Sequence, residues 1–133
     1  LYSHMLMDYD GDKNANKTTL CTKFKNKDNA LKLILFFYGF SYILLGFYIY
    51  KTGNYLYLLN YITIPLVIDL YNMLKQYNQN PMSLPKVQFW HQPLENWNKV
   101  KTTSNAPFYL RFFFARNIST IFMLLTCVAI IAH

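Results

Sequence analysis

Three long apolar stretches fill most of the chain after residue 30, and they leave little choice of solvent. Residues 31–50 read LKLILFFYGFSYILLGFYIY, with a single charge at Lys32. A helix of that length covers roughly 30 Å, the hydrocarbon thickness of a bilayer. Residues 55–74, YLYLLNYITIPLVIDLYNML, and residues 108–132 are runs of the same kind. Only 14% of residues are charged, while 53% are hydrophobic and 19% aromatic. A soluble domain carries about a quarter charged residues. The expected fold is therefore all-α, an integral membrane helical bundle with transmembrane helices at 31–50, 55–74 and 108–132.

Each run carries its own marks. Gly39 and Gly46 suit close helix contacts in a membrane. Pro65 predicts a kink in the second run. The third begins with Arg111 and Arg116 and is uncharged from Asn117 onwards. Between the second and third runs, residues 75–107 form a polar connection containing Pro81, Pro85, Pro93, Trp90 and Trp97. Tryptophan collects at headgroup level, so residues 87–97 are expected to lie along the interface. Asp69 is expected roughly 7–8 Å inside the second helix by helix rise. A carboxylate at mid-membrane costs ~3 kcal/mol, so Asp69 is expected to line the cavity or reach the interface, and Arg116 at a similar depth is its proposed partner. His91 beside Trp90 reads as interfacial packing rather than a cofactor ligand. Residues 112–114 and the tyrosine-rich runs read as packing or lipid-facing surface.

The formal charge is +7, and Lys13, Lys17, Lys23, Lys25, Lys27 and Lys32 crowd the first quarter of the chain. No basic stripe interleaved with aromatics occurs outside the apolar runs. That argues against nucleic acid and leaves the lipid bilayer as the partner of the charge. Basic residues favour the cytoplasmic side, which places segments 1–30 and 75–107 there and turns residues 51–54 and His133 outwards. The expected location is a cytoplasmic (inner) cell membrane, crossed several times. Cys21 and Cys127 sit in unlike settings and are expected to be free thiols. The chain opens with Leu1 and has no signal-peptide pattern, so it is expected to be a fragment or a processed chain.

One segment carries chemistry. Asp8, Asp10 and Asp12 fall within five residues, followed by Asn16, Lys17, Thr19 and Leu20. Clustered carboxylates repel unless a cation or water screens them. Asp8 and Asp12 are four apart and share one face of a helix. Such a pair offers hard oxygen ligands to Mg²⁺, which binds one or two carboxylates plus substrate phosphates. Lys17 follows where a cation can meet a phosphate oxygen. A calcium EF-hand loop starting at Asp8 is excluded: its sixth position is Lys13 rather than Gly, and its twelfth is Thr19 rather than Glu.

The pattern Asp8-x-x-x-Asp12-x-x-x-Asn16-Lys17-x-Thr19-Leu20 resembles the second aspartate-rich motif of the UbiA-type membrane prenyltransferases. The spacing is most similar to the 1,4-dihydroxy-2-naphthoate branch of menaquinone synthesis, and LNYITIPLVIDLYNMLKQ resembles the family's penultimate helix. Asn16 stands where Gly is usual; Asn also tolerates the left-handed backbone. Met7 stands where close relatives often have Arg. The resemblance implies a nine-helix fold of which residues 1–133 are the C-terminal portion. It implies Mg²⁺ held by Asp8 and Asp12, and a polyprenyl diphosphate contacted by Lys17. It further implies transfer of the prenyl group to an aromatic acid acceptor. Asp10 matches no motif position and is expected to be solvated or supporting. The first aspartate-rich motif would precede residue 1, so the chain is expected to be inactive alone. Two alternatives stay open: another acceptor such as 4-hydroxybenzoate, or a non-catalytic three-helix subunit of a membrane complex.

Overall fold

The computed structural model describes residues 2–132, and His133 with its expected outward position lies outside them. The described residues are helical and contain no strand. Two short helices, α1 (Tyr2–Met7) and α2 (Tyr9–Asn14), precede the first long one, α3 (Lys27–Thr52). A 3-10 segment (Tyr55–Thr63) runs directly into α4 (Ile64–Gln79). The connection holds a 3-10 turn (Phe89–His91) and the single-turn α5 (Trp97–Val100), and α6 (Ala106–Ile131) closes the chain. Residues 27–52, 55–79 and 106–131 are long and apolar enough to cross a membrane.

Local chemistry sets these boundaries. The Asn26 side chain caps α3 by accepting the Asn29 amide at 2.9 Å. Gly53 ends α3 with a φ of 69°, a left-handed conformation that glycine adopts without strain, and its amide returns to the Ile49 carbonyl. Asn54 then starts the 3-10 segment by accepting the Leu56 amide at 3.0 Å. Pro107 occupies the first turn of α6, where its missing N–H leaves no intrahelical bond unmade.

Pro65 does more than the expected kink. A proline ring clashes with the carbonyl four residues earlier, here Tyr61, so α-helical geometry cannot run back through it. The backbone answers with nine residues of 3-10 helix before Pro65 and α-helix after it. Such runs rarely exceed four residues. This one is held by side chains: Thr63 Oγ1 bonds the Asn60 carbonyl at 2.6 Å, and Tyr42 Oη meets Thr63 Oγ1 at 2.7 Å. Tyr61 Oη donates to the Tyr42 carbonyl at 2.9 Å. Gly46 permits that approach, since a Cβ there would stand 3.0 Å from the Tyr61 hydroxyl. Gly39 faces open space and makes no close helix contact.

The three long segments pack side by side, with α1 laid across one end against α3, α4 and α6. Leu6, Ile34, Leu70, Leu110, Phe114 and Ile118 form the main core at that end. Leu45, Ile49, Tyr57 and Ala129 form a smaller one at the other. There Asn54 Nδ2 donates to the Ala129 carbonyl at 2.8 Å and ties the short turn to the end of α6. The start of the chain is thus not wholly a polar segment: Leu6, Met7 and Tyr9 are buried, and Tyr9 Oη and Tyr2 Oη bond the Phe24 and Ala30 carbonyls.

The expected Asp69–Arg116 pair does not form. Asp69 Oδ2 accepts Trp90 Nε1 at 2.8 Å and His91 Nε2 at 3.0 Å. Arg116 pairs with Glu95 at 3.1 Å and lies over the Phe113 ring. The reason is the connection: residues 88–95 fold back on α4 and α6 and bring nearer partners to both charges. His91 is buried, and its Nδ1 accepts the Gln88 amide, so Nε2 carries the hydrogen donated to Asp69. Asn117 Nδ2 fastens the same stretch through the His91 and Pro93 carbonyls, each at 2.9 Å. Phe89 and Trp90 remain exposed. Arg111 is wholly buried, bonding the Met73 and Pro107 carbonyls and stacking on Tyr77.

Candidate functional site

Asp8 and Asp12 lie one helical turn apart: the Asp12 amide donates to the Asp8 carbonyl at 2.8 Å. Asp8 stands at the junction of α1 and α2, where His4 Nδ1 meets its carboxylate at 3.0 Å, one turn earlier. Both partners are well exposed, so this pair is worth little to stability and mainly orients the carboxylate.

The end of α2 explains how Lys17 reaches the site. Asn16 takes a φ of 54°. Its amide bonds the Lys13 carbonyl at 3.1 Å, and the Lys17 amide bonds the Asp12 carbonyl at 2.8 Å. This pair of bonds is a Schellman motif, which reverses the chain after a left-handed residue. The reversal brings Lys17 Nζ to 3.5 Å from Asp12 Oδ1. The strand of loop beyond is pinned by Thr22, whose Oγ1 accepts the Thr19 amide and donates to the Lys17 carbonyl. Asn16 therefore supplies the left-handed residue that the turn requires. Asp10 points to another face of α2 and pairs with Lys27.

Met7 is buried in the core under this segment and anchors it. Among the described residues, no three His, Cys, Asp or Glu side chains cluster as a metal site. The donor set is two carboxylates one turn apart with a lysine on the second. That set suits a hard cation that takes its other ligands from water and phosphate.

Beside His4, a cavity of about 410 Å³ opens between α1, α3 and α6. Ile34, Phe37 and Phe112 give it apolar walls, and His4, Arg116 and Ser119 give it polar points. His4 thus lies between the cavity and Asp8. A second cavity of about 650 Å³, lined by lysines, lies on another side of α2. Sequence reasoning missed both, along with His4. The spacing His4-x-x-x-Asp8 is the signal that could have found it. Cys21 and Cys127 are free thiols, the first buried and the second exposed.

No protein-family model matches the chain, and neither a curated protein nor a solved structure matches it.

Proposed function

We propose that the chain is part of a membrane prenyltransferase that moves a polyprenyl group from an allylic diphosphate to an aromatic acid acceptor, 1,4-dihydroxy-2-naphthoate. One observation carries this reading. At the basic end of a three-span bundle, a Schellman turn returns Lys17 to Asp12, one helical turn after Asp8. Asp8 and Asp12 would hold Mg²⁺, which supplies positive charge to the departing diphosphate. Lys17 offers the diphosphate an ammonium group, and the three donor hydrogens of that group suit phosphate oxygens. The allylic C–O bond breaks with its electron pair leaving on diphosphate, an aromatic ring carbon donates a π pair to form the new C–C bond, and that carbon then loses its proton to water, which restores the aromatic ring. The apolar walls beside His4 suit a prenyl chain, and Arg116 suits an acidic acceptor. In this reading the lysine-rich end faces the cytoplasm, and other helices supply the first aspartate-rich motif.

A second reading has its own support. The Asp8 carboxylate already has His4 Nδ1 as a partner and Asp12 has Lys17, as they would in a non-catalytic three-helix subunit. Mn²⁺ electron paramagnetic resonance on the chain in nanodiscs separates the two. The enzyme reading expects Mn²⁺ to bind when a polyprenyl diphosphate is added, and to be lost in Asp8→Ala/Asp12→Ala. Lys17→Ala should weaken the diphosphate about tenfold or more, the loss of one charge-assisted contact. Binding that survives the double variant would overturn the site. No binding in the unaltered chain would show that Asp8, Asp12 and Lys17 do not form a working half-site without the other helices, and would leave the subunit reading standing.

A further inference from the structure

The faces of α2 are used differently. Successive helical residues turn by about 100°, so Asp8 and Asp12 share one face, and Tyr9 and Lys13 share the next. Tyr9, Asp10 and Lys13 line the cavity of about 650 Å³. Two other helices complete it, each through residues spaced to share a face. Asp28, Leu31 and Lys32 come from the first turns of α3, and Tyr71, Lys75 and Asn78 from the last turns of α4.

The charge in this cavity is lopsided. Lys13, Lys25, Lys27, Lys32 and Lys75 line it, against the carboxylates Asp10 and Asp28. Lys27 is taken by Asp10. The other four lysines form no ion pair among the described residues. Like charges gathered around one hollow raise its potential and draw anions to it. Asn78 adds an independent sign. Its Nδ2 and Oδ1 are both buried and without a hydrogen-bond partner, although it lines the cavity. An unpaired buried amide is unfavourable until something bonds it. The cavity lies where α3 begins and α4 ends, at the basic end of the spans, the level of lipid headgroups. Basic hollows between membrane helices at that level hold phosphate headgroups.

We propose that this cavity binds a phosphate-bearing anion, held by Lys13, Lys25, Lys32 and Lys75 with the Asn78 amide donating. The same chemistry fits an anionic phospholipid headgroup and a free phosphate or diphosphate. The site stands apart from Asp8 and Asp12 and needs no metal.

The test uses the full chain in phosphatidylcholine nanodiscs, with chelator present throughout. One arm titrates inorganic pyrophosphate by calorimetry. The other adds phosphatidylglycerol and counts lipids retained in native mass spectrometry. Saturable binding of either probe is expected, pyrophosphate alone marking a soluble ligand and phosphatidylglycerol alone a headgroup. Lys32→Gln/Lys75→Gln should weaken that probe about tenfold or more, since each lysine near the surface attracts the anion separately. Lys32→Arg/Lys75→Arg should keep it, which guards against a folding defect in the glutamine variant. Asp8→Ala/Asp12→Ala should leave it unchanged. The proposal is overturned if neither probe binds, if the glutamine variant binds as the parent does, or if the aspartate variant loses binding equally.

Discussion

Asn16 sits at a φ of 54°, a left-handed conformation that costs most L residues about 1–2 kcal/mol. Asparagine tolerates it through its short polar side chain, and glycine avoids the cost altogether. Asn16→Val is therefore expected to lower stability by about 1–2 kcal/mol in denaturant unfolding, while Asn16→Gly stays close to the parent. Because the same turn delivers Lys17, the valine variant should lose diphosphate binding together with stability. Cys21 makes a different prediction. Burial pushes its thiol pKa up, and the nearby negative charge of Asp12 adds to the effect while Tyr2 opposes it. The Tyr2 phenol is likewise pushed up, by burial first and by Cys21 second. A raised pKa means the folded state favours the protonated form. The stabilisation is whole below the ordinary thiol range, about pH 8.5, and is lost as pH rises through the raised value. Maleimide at pH 7 should spare Cys21 until the chain unfolds. Melting temperature should fall at alkaline pH, and less steeply in Cys21→Ala.

Among the elements, the 3-10 segment depends on one residue. Pro65→Ala removes the ring that clashes with the Tyr61 carbonyl, so the α-helix is free to extend back towards Tyr55. Hydrogen exchange should show it: amides 55–63 are expected to exchange faster than those of α4 in the parent, because 3-10 bonds are poorer. They should slow in Pro65→Ala. The spans themselves were legible because their apolar content is too dense for any period or partner to matter. That Asn16 tolerates a left-handed backbone was legible in its residue type, but the turn it makes and the return of Lys17 to Asp12 were not. Other features needed the fold. Asp69 demanded a partner, but depth along a helix could not choose between Arg116 and the returning connection with Trp90 and His91. The α1 and α2 contacts were hidden because three buried residues, Leu6 and Met7 of α1 and Tyr9 of α2, are too few to mark core-facing helices in a polar segment. The lysine cavity gathers lysines from positions 13 to 75, which no local pattern connects.

At the scale of the molecule, no more than 33% of any candidate span is buried within the chain. Phe36, Phe40, Ile43, Phe47, Leu124 and Ile131 present large apolar surfaces outward. That surface is stable only against lipid or other apolar helices. The charges at the two ends set the expected topology, with residues 51–54 outside and the connection in the cytoplasm. In right-side-out vesicles of a chain with Cys21 and Cys127 replaced by serine, Thr52→Cys should react with an impermeant maleimide. Ser83→Cys should react only after permeabilisation. The reverse pattern would invert the orientation and move Lys17 to the outer surface. The nine-residue 3-10 segment also sets how far the second span reaches. It rises about 2.0 Å per residue where an α-helix rises about 1.5 Å, so the span is about 4–5 Å longer than its residue count gives. Membranes of different compartments differ in thickness by a similar few ångströms. Asn54, fastened to Ala129 at the far end, therefore stands about 4–5 Å further from Gln79 than an all-α span would put it, a difference of the size that separates thin from thick membranes.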